Sequence, residues 1–318
     1  MSKTLVIPVD TGNRGMKTKK HYFPASYVRS SYLPAIGNND ILKYDGIEYT
    51  LDDQPMTQLD DKTKGTRYLI LTLFAIGKEL EDMDLQMYET TEGIINVILL
   101  LGTPPLHCKE AVAKYKEYFT NGGNPISFVI NKKPITIKIT DVKVYPQAYA
   151  AALTVKEEIK NKRFVNVIDI GGYTVDGFRM NNFRVDISTC KSLYSGINIL
   201  FETINEQARA KMAKEIPYFK IEGVIRNDQE IITNMKEERV SVIKTTAERF
   251  AKELLSKLTH AGFDLEENPT VLVGGGSMLL QPYIEGSGMV EKPIFLDNVR
   301  ANVDGYQLMY SAQNPDNQ

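Results

Sequence analysis

Cysteine is scarce in this chain: Cys108 and Cys190 are the only two in 318 residues. Two cysteines cannot build a disulfide framework, and their positions do not have zinc-site spacing. As small buried hydrophobes they need no further role. Long hydrophobic runs are missing too. The longest, Ile94 to Leu101, is broken by Asn96 and falls far short of the ~20 residues a spanning helix needs. No long basic stretch stands out, the net charge is -2 and the pI is about 6.0, which disfavours direct reading of nucleic acid. His21, His107 and His260 are scattered with no second ligand at metal spacing, so packing or surface roles are expected of them. Residues Met1 to Asp10 carry one lysine and a short apolar run ending in an aspartate, the pattern of a first β-strand rather than a signal peptide. These absences argue against a disulfide scaffold and a membrane protein, and make the cytoplasm the expected location.

What is present is ordinary for a globular protein: 42% hydrophobic and 25% charged residues, with length enough for two compact domains. The organisation is alternating α/β with internal echoes. Leu5–Val9 is an apolar strand running into Asp10-Thr11-Gly12, Val165–Ile168 runs into Asp169-Ile170-Gly171-Gly172, and Val271–Val273 runs into Gly274-Gly275-Gly276-Ser277. Buried strands ending in glycine turns are where α/β proteins place ligands. Between the echoes, the periodicity predicts a helix over Arg67–Leu85 and a buried strand over Gly93–Leu101. Pro104-Pro105 then precedes a helix over Lys109–Phe119, and Gly122-Gly123 turns the chain into a strand at Ile135–Ile139. Lys132-Lys133-Pro134 reads as a hairpin turn, residues 147–163 as a further helix and Val240–Leu258 as a long amphipathic one. Two irregular segments, 24–66 and 212–238, are candidate accessory lobes. The polar tail Ser311–Gln318 is expected to fray.

The chemistry lies in the turns. The first reads Asp10-Thr11-Gly12-Asn13-Arg14-Gly15-Met16-Lys17. A glycine-containing hairpin brings backbone N–H groups close to phosphate oxygens. Asp10 suits Mg²⁺, reached through water, and Lys17 a β- or γ-phosphate. Taken alone this segment reads better as a tight β-turn with solvated flanks, and no Gly-Lys-Ser/Thr follows to make it a P-loop. The second turn, Asp169-Ile170-Gly171-Gly172-Tyr173-Thr174-Val175-Asp176, repeats the design about one domain later. The pair points to two domains facing one nucleotide. In the third turn, three glycines admit a ring or ribose against bare backbone; a plain strand-to-helix connection is the alternative. The remaining Thr18-Lys19-Lys20 reads as a solvated strand end.

These turns resemble the two phosphate motifs and the adenosine motif of the actin, heat-shock chaperone and sugar-kinase superfamily, and the whole chain is most similar to bacterial actin-like ATPases of the plasmid-segregation (ParM) type. Segments starting at Pro146-Gln147-Ala148-Tyr149 and at Ala301-Asn302-Val303-Asp304-Gly305-Tyr306 resemble the superfamily's two connecting helices. The resemblance implies an actin-like ATPase fold. Two related ribonuclease-H-like domains, 1–153 with 303–318 and 154–302, would flank a nucleotide cleft, each bearing a small accessory lobe. It implies ATP, with GTP an open alternative, and Mg²⁺ held through water by Asp10 and Asp169. Nucleotide contacts would come from Asp10, Thr11, Gly12, Asn13, Lys17, Gly171, Gly172, Tyr173, Thr174, Gly196, Gly274, Gly275, Gly276 and Ser277. Gly196 belongs to Ser195-Gly196-Ile197-Asn198, which also reads as a helix N-cap region. For Asp176 a structural role stands beside a place in the second motif, and Lys211, Lys214 and Glu215 fall near where actin relatives contact the base.

Gln147 takes the position from which a glutamine or glutamate orients the hydrolytic water. ParM relatives carry glutamate there and actin glutamine. A neutral amide accepts a proton poorly, so its contribution would be positioning. The implied function is an ATPase whose filaments move plasmid DNA, with itself and an adaptor bound to centromere DNA as partners, and no direct nucleic-acid or membrane contact. A small-molecule kinase, a chaperone ATPase and a membrane-tethered or other non-plasmid actin relative are the alternatives on the same fold. ATP-dependent light scattering, with pelleting, is expected to separate the filament-former from the kinase, the chaperone and the membrane-tethered relative.

Overall fold

The computed structural model describes residues 3–30, 40–52, 59, 61–81 and 83–315. The chain divides into two compact units, Met1–Thr154 with Arg300–Gln318, and Val155–Val299.

The first unit opens with strands β1 (Leu5–Thr11), β2 (Gly15–Lys17), β3 (Tyr22–Pro24), β4 (Tyr27–Ser30), β5 (Ile41–Tyr44) and β6 (Ile47–Leu51). Helix α1 (Arg67–Glu81), strand β7 (Ile95–Thr103), helix α2 (Cys108–Phe119), strands β8 (Ile126–Ile130) and β9 (Lys133–Pro146) and the short helix α3 (Tyr149–Ala152) follow. The second unit contains α4 (Lys156–Ile159), β10 (Phe164–Ile170), β11 (Val175–Asn181), β12 (Arg184–Leu193), α5 (Ile197–Met212), α6 (Tyr218–Ile225), α7 (Gln229–Thr233), α8 (Glu237–His260), β13 (Thr270–Val273), α9 (Gly275–Ser287) and β14 (Pro293–Phe295). Helix α10 (Ala301–Gln313) returns to the first unit. The second unit therefore ends at Val299 rather than 302, because Ala301 and Asn302 already belong to α10.

Both units are built on one strand plan. In the first, β3-β2-β1-β7-β9 are neighbours in order; in the second, β12-β11-β10-β13-β14 are. Each plan has two antiparallel pairings on one side of its first strand, β1 or β10, and two parallel pairings on the other. Parallel strands buried on both faces read as continuous apolar runs, which is why Leu5–Val9, Ile94–Leu101 and Val271–Val273 are visible in the sequence. Pro8 interrupts the first run without breaking the strand: it pairs with Leu100 of β7, while β2 covers β1 only at Asp10 and Thr11. Its missing N–H is tolerated where the ladder is one-sided. In the first unit the sheet continues past β9 through β8, β5, β6 and β4. Segment 24–66 is thus largely a sheet extension, with residues 31–39, 53–58 and 60 outside the described residues. Segment 212–238 carries the small helices α6 and α7.

Several local expectations change. Helix α1 stops at Glu81 instead of Leu85, and Lys133 Nζ accounts for its end by donating to the last-turn carbonyls of Leu80 (3.2 Å) and Glu81 (3.5 Å). Strand β8 was not legible, and the hairpin turn falls at Asn131-Lys132, both at positive φ (46° and 71°), with Lys133 and Pro134 already in β9. The helix expected over 147–163 is three separate turns, α3, a 3₁₀ turn at Leu153–Val155, and α4. Thr18 is not solvated: it is fully buried and its hydroxyl donates to Glu79, whose Oε1 also accepts from the Lys20 N–H at 2.8 Å. The tail is helical to Gln313, and residues 316–318 lie outside the described residues.

Two features of the first unit bear on the site. Helix α1 is buried along most of its length, Tyr68 and Leu71 to Gly77 included, and packs against β1 and β8. Helix α10 packs on α3 through Gly305, where a Cβ would lie 2.0 Å from the Ala150 carbonyl oxygen. Tyr306 stacks on Tyr145 with ring centroids 6.0 Å apart.

Candidate functional site

Each unit presents a hairpin of the same construction. Thr11 pairs with Met16 and Asp10 with Lys17; in the second unit Ile170 pairs with Val175 and Asp169 with Asp176. The intervening residues are Gly12 to Gly15 and Gly171 to Thr174. In both loops the first residue must be glycine or nearly so: a Cβ on Gly12 would lie 2.6 Å from the Gly15 oxygen, and one on Gly171 3.1 Å from the Thr174 oxygen. The echo read from sequence is an echo in register and in backbone packing.

In the first unit the hairpin surrounds Asp10, 2% exposed. Its Oδ1 accepts from Gln147 Nε2 at 2.9 Å, and its Oδ2 from Lys17 Nζ at 3.1 Å and Asn302 Nδ2 at 3.5 Å. Burial opposes ionisation of this carboxyl. The charges of Lys17 and Lys62 and the hydrogen bonds from Lys17 and Asn302 outweigh that, so Asp10 is held below the ordinary carboxylate value. Lys62 donates to the Thr11 carbonyl and, at 3.4 Å, to the Thr11 hydroxyl, with its ammonium 5.3 Å from the centre of the Tyr68 ring. Burial lowers its pKa to about 8 against the pull of Asp10, and repulsion from Lys17 adds to the drop. Tyr68 in turn donates its hydroxyl to Asn13 Oδ1 at 2.7 Å. Two lysines around one carboxylate leave this end of β1 with a net positive bias, the electrostatic setting for an anion.

Gln147 follows β9 directly. Its N–H donates to the Thr103 carbonyl at 2.8 Å, and its own carbonyl accepts from the Tyr149 N–H at 2.6 Å. Ala148 between them has φ 59° and ψ -40°, the positive-φ γ-turn that a side chain disfavours. The Ala148 N–H donates to Asn302 Oδ1 at 2.8 Å.

In the second unit the β10–β11 loop is locked to the start of α5. The N–H groups of Gly196, Ile197 and Asn198 donate to the carbonyls of Tyr173 (2.9 Å), Gly171 (3.1 Å) and Gly172 (2.8 Å). A Cβ on Gly196 would come within 2.5 Å of Gly172 and Tyr173, so only glycine permits the approach. In a trans peptide the C=O and N–H point opposite ways. Turning three carbonyls toward α5 therefore directs the N–H groups of Gly172, Tyr173 and Thr174 away from it, on the side of the loop opposite α5. The Gly196 N–H itself is spent inside the protein. Thr174 Oγ1 donates to Asp176 Oδ2 at 2.9 Å, giving Asp176 a hairpin-bracing role. Gly274 caps α9 at φ 91°, and a Cβ there would lie 2.4 Å from Asp169 Oδ1, so the carboxylate lies against bare backbone. Gly276 packs on Ile170, and Ser277 Oγ donates to the Gly274 carbonyl at 2.7 Å. Gly275 has open space around it.

The structure thus gathers Asp10, Thr11, Asn13, Lys17 and Gln147 in the first unit, and Asp169, Gly171 to Thr174, Gly196 and Gly274 to Ser277 in the second. Lys62, Tyr68 and the Asn302 amide complete the first group and were not picked out as site residues. Lys62 stands in a Lys-Thr-Lys-Gly stretch with no motif around it, and only the fold brings it to Thr11. Lys211, Lys214 and Glu215 separate: Glu215 pairs with Arg209 and lines, with Glu202 and Tyr218, an open cavity of about 550 Å³ that the two lysines do not line. Among the described residues no three His, Cys, Asp or Glu side chains come together as a metal cage. Without such a cage, Mg²⁺ would be held mainly by phosphate and water, with a single carboxylate such as Asp10 of the first unit as the kind of group that could support it. No helix among the described residues is long and apolar enough to cross a membrane.

Comparison with known proteins bears on the fold. Residues 167–286, within the second unit, match the family model described as archaeal actin homologue MreB-like, C-terminal. Among curated protein sequences none matches. Among solved structures, the archaeal actin homologue Ta0583 is similar with a TM-score of 0.76 at 15% identity, over 97% of this chain and 100% of that one. Its complex with ADP gives 0.73 at 17% identity, over 97% and 100%. A 15-stranded ParM filament from Clostridium botulinum gives 0.73 at 14% identity, over 98% and 100%. At such identities the likeness establishes the fold, and the fold is that of the actin-like ATPases.

Proposed function

We propose that this chain is a nucleotide-dependent, filament-forming ATPase, in which Mg-ATP is engaged by the Gly12 and Gly171 hairpins and by the Gly274–Ser277 turn. The observation that carries this reading is the repeated hairpin: two units of one strand plan, each with an aspartate as the penultimate residue of its first strand, before a four-residue loop that opens with glycine. A repeated anion-binding turn suits a polyphosphate, whose charge is spread over several groups. Lys17 and Lys62 supply compensating charge, and the N–H groups of residues 172–174 supply donors. Bound Mg²⁺ would bring Lewis-acid stabilisation of the charge on the transferring phosphate. Gln147, anchored by Asp10, orients the attacking water without taking its proton.

Filament formation is supported by the similar folds of the Clostridium botulinum ParM filament and of Alp12, also solved as a filament. The reading extends to plasmid DNA segregation in the cytoplasm, through an adaptor protein on centromere DNA. Hydrolysis of ATP by the purified chain tests the enzymatic part. Asp10→Ala and Asp169→Ala are each expected to abolish most turnover while the far-UV circular dichroism stays that of the parent. Turnover near the parent's in both variants refutes the assignment.

A further inference from the structure

We infer that Asn302 is a positioning residue for hydrolysis: its amide holds the strained turn at Ala148 and thereby sets Gln147 against Asp10. The inference rests on the reading of Gln147 and Asp10 given above, and it adds a residue whose partners all lie in the first unit.

The argument starts from the backbone. Ala148 adopts φ 59° and ψ -40°, a conformation that a residue with a Cβ keeps only where its surroundings over-determine it. The Ala148 carbonyl accepts from the Ala152 N–H at 2.8 Å as α3 begins, and three further hydrogen bonds fix the turn. Two hold its flanks, from Gln147 N–H to Thr103 and from Tyr149 N–H to Gln147. The third is donated by the Ala148 N–H, to a side chain on α10, Asn302 Oδ1, at 2.8 Å. Asn302 is 8% exposed, so this bond has little competition from water. Residue 148 decides where the Gln147 side chain points, since rotating its φ back to a negative value would swing the peptide that follows Gln147.

The other end of the same amide closes a ring. Asn302 Nδ2 faces Asp10 Oδ2 at 3.5 Å, and Asp10 Oδ1 accepts from Gln147 Nε2 at 2.9 Å. Asn302, Ala148, Gln147 and Asp10 are therefore linked head to tail. The chemistry requires an amide of this size: an acceptor for the N–H of Ala148 and, on the same carbon, a donor for the carboxylate. The partners also fix which way round the amide sits, because neither contact could form with oxygen and nitrogen exchanged. Asparagine is a poor residue for a helix interior, and here it occupies the first turn of α10, where its side chain is free to serve another segment.

The test uses the full-length chain and two independent readouts, hydrogen exchange at the Ala148 amide and ATP turnover with ATP affinity measured separately. In Asn302→Ala the Ala148 amide should exchange about tenfold faster, the loss of one hydrogen bond. Turnover should fall about tenfold or more while affinity changes by less than about threefold. Asn302→Asp keeps the acceptor for the Ala148 N–H, so it should retain the protection of Ala148 that Asn302→Ala loses. Adding Ala148→Gly to Asn302→Ala removes the penalty on positive φ, and part of the lost turnover should return, which a merely structural role would not produce. Unchanged exchange at Ala148 in Asn302→Ala overturns the inference, as does a loss of turnover explained wholly by weaker binding. A parent chain that does not hydrolyse ATP refutes the functional reading instead, and the exchange measurement still decides whether Asn302 holds the turn.

Discussion

Replacing Lys62 by methionine separates what this cation does for folding from what it does for a ligand. The ammonium is enclosed by Thr11, Tyr68 and the neighbourhood of Asp10 and Lys17, and burial lowers its pKa from 10.5 to about 8. At ~1.4 kcal/mol per pH unit, keeping it charged at neutral pH costs the folded chain at most ~3.5 kcal/mol. Methionine fills similar volume without a charge but gives up the contacts with Thr11 and the support of Asp10, so a net stabilisation of about 1 to 2 kcal/mol is expected at pH 7. The sign with pH follows from linkage. The folded-state pKa is depressed, so the penalty is fully present below about 8, shrinks as the folded chain loses the proton, and is gone above the unfolded value of 10.5. Urea unfolding without nucleotide, at pH 7 and about pH 9.5, should therefore show the variant's advantage shrinking at the higher pH. Nucleotide affinity at pH 7 should move the other way, falling about tenfold with the loss of one charge near the phosphates. A variant less stable than the parent at pH 7, or an advantage equal at both pH values, would refute the reasoning.

Two further substitutions probe packing and chemistry. Gly305→Ala places a methyl 2.0 Å from the Ala150 carbonyl oxygen, forcing α10 off α3 and lowering unfolding free energy by ~2 kcal/mol or more, read by the same urea titration. Gln147→Ala should leave ATP affinity near the parent's and slow hydrolysis about a hundredfold; a filament assay should show correspondingly longer-lived polymers, and loss of nucleotide binding would make the residue structural.

The strands and turns that carry the site were legible because their constraints are local. A parallel strand buried on both faces must be apolar throughout, and a hairpin that brings Gly12 against Gly15 admits almost nothing but glycine. The actin-like fold was implied by the resemblance that these turns carry. What escaped was decided at long range. Strand β8 alternates buried and exposed residues over Ile126–Ile130, but its placement depends on pairing with both β9 and β5. The break-up of 147–163 reflects the Ala148 turn and the passage between units near Thr154. Lys62 lies 51 positions from Thr11 and Asn302 lies 154 from Ala148, separations at which a single sequence gives no sign of contact. Gly196 was legible as a special position, yet its amide serves the hairpin and not a ligand.

Sedimentation across a protein concentration series, with Mg-ATP and then Mg-ADP, tests the central claim most directly. A ligand shifts assembly only through different affinities for assembled and free chains. The account predicts a critical concentration markedly lower with Mg-ATP than with Mg-ADP, and filaments by negative-stain microscopy in the ATP pellet. A chain that stays monomeric with Mg-ATP at tens of micromolar, roughly where even weak interfaces populate, would contradict it.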